Sequence, residues 1–446
     1  MVKESLLHSL LQSALDSQRV FPREEAASYA VDGIIPQVAV LPLTVEEVAE
    51  VMRLASREGA AVIPWGGGTA INLGNVPRRY DIALCLSHLN QVVEYEPAEL
   101  TATVQAGKTL ADLQRHLAES GQFLALDPPS AQDATVGGTL AVNASGPSRH
   151  AYGTARDLIL GVRAVQADGR IIKAGGRVVK NVAGYDLSRL LIGSLGSLGV
   201  IVEASFRLAP LPRAESTAVV SLPSAREAWR FVAQTANLSL RAVELLNAAA
   251  VRQAAIPGQA PEDGYTLVLA AAGEPAAVEH SLKEIGELSQ RAAASSFAEV
   301  DEGDQDRLWQ AIAGLTRPSP SDAGLFCKAA VLPSHVPTFA QQIETAGREL
   351  GLEPPLISHL TTGIVYSAWP LPQADDARRA LDLAKTLRQA VAHLGGSLTV
   401  EACPLSLKES IDVWGEPAGD FPLMQRIKEQ FDPQGILSPG RFLGRL

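Results

Sequence analysis

Three consecutive glycines directly after an apolar run, in the stretch "PWGGGTAINLG" at 64–74, constrain this chain more than any other feature. Glycine loses more conformational freedom on folding than any other residue, so three in a row mark a backbone with unusual dihedrals or one approached very closely. A tight turn of bare N–H groups forms an anion-binding concavity, and a phosphate is the expected occupant. Further glycine-rich pieces stand at 136–153, 181–186 and 193–199. Each alone reads as an ordinary tight turn; together, each beside an apolar strand, they point to loops converging on one long phosphate-bearing ligand.

Two standard phosphate motifs do not account for them. "QAGKT" at 105–109 precedes a helix, but a Walker A loop needs glycine at 102, where the chain has Ala102. "GSLGSLG" at 193–199 follows a helix and precedes a strand, the reverse of the order that aims a helix N-terminus at a pyrophosphate.

At 446 residues the chain exceeds one typical core, so two domains are expected, one of them open to interruption by the other. A net charge of −11 without any Lys/Arg cluster argues against nucleic acid or an anionic lipid surface as the main partner. Cys85, Cys327 and Cys403 lie far apart and form no CxxC pair, which argues against an iron–sulfur cluster or structural zinc site within this chain. The N-terminal stretch reads as an amphipathic helix, not a signal peptide, and no run of about 18 apolar residues is present to span a membrane. The expectation is a soluble cytoplasmic protein that meets the inner membrane only through partners.

From Pro36 to Pro212 strands and helices alternate. Thr44 and Glu47 form a capping-box pattern, Val45, Val48, Met52 and Ala55 share one helix face, and Gly59 closes the helix. "AAVIPW" reads as a buried strand, "DIALCL" as a strand alternating about Ile82, Leu84 and Leu86, 92–107 as a hairpin-like pair, and "TLADLQRHLAESG" as a helix stopped by Gly121. Residues 126–158 are too rich in Gly and Pro for helix or central strand. A hairpin turning at Asp168-Gly169 follows, then a helix through 187–191. The next strand points Val200, Val202, Ala204, Phe206 and Leu208 inward and Glu203, Ser205 and Arg207 outward. Residues 209–216 read as a linker, and the Ala-rich region beyond it to about 400 mixes helices with strands.

With these motifs set out, the chain resembles the FAD-linked oxidases of the vanillyl-alcohol oxidase type. The resemblance rests on "PWGGGT", "DPPSAQDATVGGTLAVNASG", "YGTARDLILGVRAVQADG", "KNVAGYDLSRLLIGSLGSLGVIVEASFRL" and "FDPQGILSPGRF". Within that superfamily it is most similar to the E-type FAD-binding subunits of bacterial glycolate oxidases. The likeness covers about 36–212 and 395–446.

The resemblance implies an α+β fold: a bipartite PCMH-type FAD-binding domain of two α/β subdomains, with an α+β cap domain inserted before the C-terminal segment. The implied bounds are a helical segment at 1–35, the FAD domain at 36–212, the cap at 213–400 and a returning segment at 401–446. By position, Trp65, Gly66, Gly67, Gly68, Thr69 and Ala70 would wrap the pyrophosphate. Pro128, Thr135, Gly137, Gly138, Asn143 and Gly146 would line the second side, ending at Tyr152 and Gly153, and Gly199, Val200 and Ile201 would offer backbone groups to the flavin or adenine. For Lys180, Asn181, Tyr185 and Asp186, binding and packing stand as equal alternatives. Thr69 occupies the place where many members carry a flavin-linking histidine, so FAD is expected to be noncovalent, with His150 and Cys403 outside that position.

Related 2-hydroxy-acid dehydrogenases place a divalent metal over the flavin with an HxGDGNxH motif and a later GEHG-type segment. The comparable stretches here are "HLTTGIVY" at 359–366 and "GGSLTVEACPLSLK" at 395–408. His359, Gly363 and Glu401 match, whereas Tyr366, Thr362 and Ala402 replace a histidine, an aspartate and a histidine. One imidazole and one carboxylate are too few for a divalent site, and neutral tyrosine is a poor substitute, so no metal is expected. His359, Tyr366 and Glu401 remain weak catalytic candidates, with His359 read first as a packed or hydrogen-bonded core residue.

The implied function is that of an FAD-binding subunit in a glycolate oxidase or D-2-hydroxy-acid dehydrogenase complex, working with a D-like catalytic flavoprotein and an F-like iron–sulfur protein. The alternatives are a self-sufficient FAD oxidoreductase of another small alcohol or hydroxy acid, and a noncatalytic scaffold.

Overall fold

The computed structural model describes residues 2–176, 186–256, 264–292, 294–317, 324–371 and 376–446. Two compact units divide the chain. The first takes the chain up to Ala144, Thr154–Leu211 and Glu416–Leu446; the second takes Ser145–Gly153 and Pro212–Gly415. The architecture is α+β throughout.

The first unit holds two main sheets. Strands Val20–Pro22, Val38–Val40, Ile82–Cys85 and Val62–Trp65 lie side by side in that order, the last three parallel. Ile82–Cys85 is buried at every position, so the expected alternation is absent: a parallel strand between two neighbours is covered on both faces. Helix Val45–Glu58 forms as expected, with Thr44 accepting from the Glu47 N–H, Val45, Val48, Met52 and Ala55 buried, and Gly59 left-handed at φ 63°. The Glu47 carboxylate accepts from the Leu43 N–H and pairs with Arg19, both at 2.6 Å.

The second sheet is antiparallel, in the order Val92–Glu96, Thr101–Gln105, Val200–Arg207, Ile159–Val165, Ile171–Gly175. The central strand buries the five expected residues, and Ser205 as well, whose hydroxyl meets Thr103 across the sheet at 2.8 Å. Helix Leu110–Ala118 ends before Gly121.

Two expectations need correction. The Gly/Pro-rich stretch 126–158 contains the helices Val136–Val142, Arg149–Tyr152 and Ala155–Leu158. Thr135 caps the first of these by accepting from the Gly138 N–H, and Gly137 sits where a Cβ would come within 2.7 Å of the Ala106 Cβ, so glycine here serves helix packing and not only turning. Residues 209–216 do carry the chain from the first unit to the second, at Leu211 and Pro212, but they are largely strand: Ala209–Pro210 pairs with Gln122–Phe123, and Ala214 opens the strand Ala214–Leu222.

The second unit is built on one eight-stranded antiparallel sheet, in the order Ser296–Glu299, Ala214–Leu222, Tyr265–Gly273, Leu240–Asn247, Leu356–His359, Ile364–Pro370, Gly324–Ala330, Ser397–Ala402. Helices Ala225–Val232, Pro275–Arg291, Val336–Leu350 and Asp376–His393 share one core with this sheet. Val219, Leu246, Val268, Phe326, Ile357 and Tyr366 form another with helices Ala248–Ala254 and Glu302–Leu315. Among the described residues no helix is long and apolar enough to cross a membrane.

Candidate active site

In the first unit a small cavity of about 40 Å³ is walled by Trp65, Gly66, Thr135, Gly137, Gly138, Gly199 and Ile201, together with Pro64, Leu86, Ala106, Ala141 and Gly196. Three of the glycine-rich pieces singled out from the sequence thus meet at one place. A Cβ on Gly66 would stand 2.2 Å from the Thr135 hydroxyl, and one on Gly67 only 1.7 Å from the Asp133 carbonyl oxygen. The glycines are bare in part because the second loop packs directly on the first. Beyond them, the backbone N–H groups of Gly67, Gly68, Thr69 and Ala70 find no acceptor among the described residues, although their residues remain partly or fully accessible. Four consecutive unclaimed donors beside a glycine-walled cavity fit a pyrophosphate.

Several of the other expected residues do not wall this cavity. Val200 has its side chain in the core, leaving only backbone to offer, Pro128 is buried, and Asn143 is exposed with left-handed φ 51° at the end of its helix. Gly146, Tyr152 and Gly153 belong to the segment that joins the second unit. Asp186 caps the helix Leu187–Leu191 and pairs with Arg189 at 3.2 Å. Lys180, Asn181 and Tyr185 lie outside the described residues.

Gly67→Ala is expected to yield a protein that purifies without a bound chromophore. A backbone carbonyl cannot step aside as a flexible side chain can, so the two loops must part. A visible spectrum of the purified variant checks this.

In the second unit the adjacent strands Leu240–Asn247 and Leu356–His359 place Glu244 opposite His359. The His359 Nδ1 and Glu244 Oε1 are 2.7 Å apart, with both side chains 1 % exposed. An N–H at Nδ1 donated to the carboxylate leaves Nε2 as the ring's lone-pair nitrogen, and Nε2 is buried without a partner among the described residues. The His359 ring meets Tyr366 edge-on at 5.6 Å. Lys328, paired with Tyr366 across the strands, sets its ammonium 5.6 Å from the Tyr366 ring centre and 3.5 Å from Glu401. Burial pushes the Tyr366 phenol up, so it stays neutral at neutral pH; the Lys328 ammonium is held above its ordinary range by Tyr366 first and Glu401 also. Arg317 faces Glu401 and Tyr366 and is pushed down by burial. Arg149 faces Lys328 and Tyr366. His150 bonds Thr361 at 2.8 Å, and burial lowers its pKa.

His359, Tyr366 and Glu401 are therefore neighbours, as their motif positions suggest. Thr362 bonds the His359 carbonyl at 3.3 Å, Gly363 fits a left-handed turn against the Val331 carbonyl, and Ala402 packs with the apolar core. Among the described residues no group of three or more His, Cys, Asp or Glu is arranged to hold a metal. The sequence reading missed Glu244, Lys328, Arg317 and Arg149. A signal existed for two of them: Glu244 stands in "AVELLN" and Lys328 in "LFCKAAV", ionisable residues inside apolar strand runs.

The chain matches the "FAD binding domain" family over residues 36–175 and the "FAD linked oxidases, C-terminal domain" family over residues 211–442, and it belongs to the FAD-linked oxidases. It is 30 % identical to a D-lactate dehydrogenase of Archaeoglobus fulgidus over 96 % of this chain and 97 % of that protein. It is 25 % identical to the glycolate oxidase subunit GlcD of Bacillus subtilis over 92 % and 90 %, and 29 % identical to a D-2-hydroxyglutarate dehydrogenase of Xanthomonas citri pv. viticola over 91 % and 89 %. In fold it is similar to p-cresol methylhydroxylase, with a TM-score of 0.77 at 17 % identity, covering 99 % of this chain and 97 % of that one. The chain is an FAD-dependent oxidoreductase of the glycolate oxidase, D-lactate and D-2-hydroxyglutarate dehydrogenase group.

Thr69 offers no nucleophile of the kind that tethers flavin. Acid precipitation of the holoprotein is expected to leave all the yellow colour in the supernatant; colour in the pellet would contradict noncovalent binding.

Proposed function

We propose that this chain binds FAD noncovalently through the residues around its glycine loops and oxidises a 2-hydroxy acid with side chains of its own second unit. The observation that carries this reading is the buried Glu244–His359 pair beside Lys328, Glu401 and Tyr366. Oxidising a 2-hydroxy acid requires a cation for the carboxylate, a base for the hydroxyl proton and an acceptor for the hydride. Lys328 and Arg317 supply fixed positive charge for the carboxylate. His359, with Nδ1–H directed to Glu244, takes the hydroxyl proton at Nε2, and the resulting imidazolium is stabilised by the Glu244 carboxylate. The neutral Tyr366 phenol donates a hydrogen bond to the substrate oxygen. FAD, when bound, supplies the two-electron acceptor. Glu244, which orients the ring through Nδ1, supports the assignment of that task to His359.

Lys328→Met tests the arrangement. A hydrogen bond to a charged group is worth about 1.5–3 kcal/mol, so KM for the acid rises roughly 10- to 100-fold while the flavin spectrum stays as it was. An unchanged KM would remove Lys328 from the site.

Two readings of its setting follow, the first of which makes the chain the E-type FAD-binding component of a glycolate oxidase or D-2-hydroxy-acid dehydrogenase complex, with D-like flavoprotein and F-like iron–sulfur partners. Similarity to GlcD over nearly the whole chain supports an assembly of this kind. Similarity to a D-lactate dehydrogenase of matching length supports the second reading, a self-sufficient enzyme. Affinity capture from the native cell separates them: co-elution of a flavoprotein and an iron–sulfur protein favours the complex, and repeated recovery of this chain alone rejects it.

A further inference from the structure

The second unit has a cavity that neither a two-carbon acid nor the chemistry above requires. It measures about 330 Å³, at the small end of ligand clefts, and its wall includes Leu315, Phe326, Ile357, Ala368 and Ala402, with Arg317 as its charged residue. Phe326 pairs with Ala368 on one neighbouring strand and with Ala402 on the other. Two residues along the same strands stand Lys328 and Tyr366, so the Phe326–Ala368 row of the cavity lies one side-chain row, about 7 Å along the strand, from theirs. The Phe326 and Tyr366 rings stack at 6.0 Å and form a continuous floor between the two places. Arg317 belongs to both, since it lines the cavity and faces Glu401 and Tyr366.

We infer that the acid taken by this site carries an apolar side chain of isobutyl or benzyl size at C2, seated in this cavity, and is not glycolate. The inference rests on the reading of the Lys328 and Arg317 cluster as a carboxylate site. With its carboxylate there, glycolate has no atoms left to reach the apolar row. A substituent of four or more carbons reaches it. Each buried methylene contributes about a fourfold gain in affinity, so four give on the order of 100-fold. Among the described residues Arg317 is the cavity's one charged residue and is committed to the first carboxylate, so a second carboxylate at the far end of the substrate would meet Gln253 and apolar side chains but no further cation, which disfavours a dicarboxylic acid.

Nonreactive carboxylates separate this inference from the reading beneath it. Titration of the flavin-loaded protein with acetate, glutarate, 4-methylpentanoate and 3-phenylpropanoate, followed by calorimetry, is expected to show the last two binding at least 30-fold more tightly than acetate. Ala368→Leu, which narrows the cavity without touching the charged cluster, removes at least tenfold of that preference and leaves acetate unaffected. Acetate or glutarate binding as tightly as 4-methylpentanoate would overturn the side-chain inference while leaving the carboxylate site standing. No carboxylate binding at all would overturn both. Should the variant fail to fold, the comparison of the four acids on the unaltered protein decides by itself.

Discussion

Replacing Asp432 by alanine is expected to destabilise the first unit by about 3–5 kcal/mol, the cost of leaving a buried ion without its partner. The Lys428 ammonium lies 2.6 Å from the Asp432 carboxylate, and the two residues are 8 % and 2 % exposed. Lys428 also donates to the carbonyls of Ser197 and Leu437, at 2.8 and 2.9 Å, while Asp432 accepts the N–H groups of Ile436 and Leu437. One pair therefore fixes the C-terminal segment against the loop that supplies Gly196 and Gly199 to the glycine-walled cavity. Burial lowers the Lys428 pKa, and Asp432 opposes that shift. Without Asp432 the folded-state value falls further below that of the unfolded chain, so the unfolded state binds more protons and stability rises with pH up to the unfolded lysine's range. The deficit should accordingly be larger at pH 7 than at pH 9. Denaturant midpoints at the two pH values measure it; a loss below 1 kcal/mol, or one that grows with pH, would contradict this account of the pair.

Glu244→Gln and His359→Asn are expected to lower kcat by about 10²- to 10⁴-fold, the usual contribution of a positioned proton acceptor, while the flavin absorbance is retained. The glutamine preserves a hydrogen bond to Nδ1 but removes the charge that stabilises the imidazolium. The asparagine removes the base itself. A purely structural role for the pair predicts a different pattern: lower thermal stability, and kcat per bound flavin close to that of the unaltered chain. Steady-state rates normalised to flavin content, measured beside a melting curve, separate the two.

Much of the first unit was legible because its signals are local. The Thr44 cap, the left-handed Gly59 and the turn at Gly169 each follow from one residue's chemistry, and the helices and strands around them fall where expected. The helix Val136–Val142 was not legible, since its glycines read as breakers until the Ala106 side chain that demands Gly137 is in view. The strand at 209–210 was hidden for a similar reason, its partner lying far back at Gln122–Phe123. In the second unit His359, Tyr366 and Glu401 could be aligned by motif, but the residues that give them a task come from other strands. Glu244 meets His359 across 115 positions of chain, and Lys328 meets Tyr366 through strand pairing alone. Such partners are set by sheet register, which no short stretch of sequence specifies.

The central claim, that this chain oxidises a hydroxy acid with its own side chains, is tested most directly by the flavin band of the purified protein under anaerobic conditions. Addition of D-lactate or D-2-hydroxy-4-methylpentanoate, with no other protein present, is predicted to bleach the oxidised flavin absorbance in the unaltered chain and to leave it largely intact in His359→Asn. A yellow protein that stays fully oxidised with every 2-hydroxy acid tried, yet bleaches with dithionite, would contradict the claim.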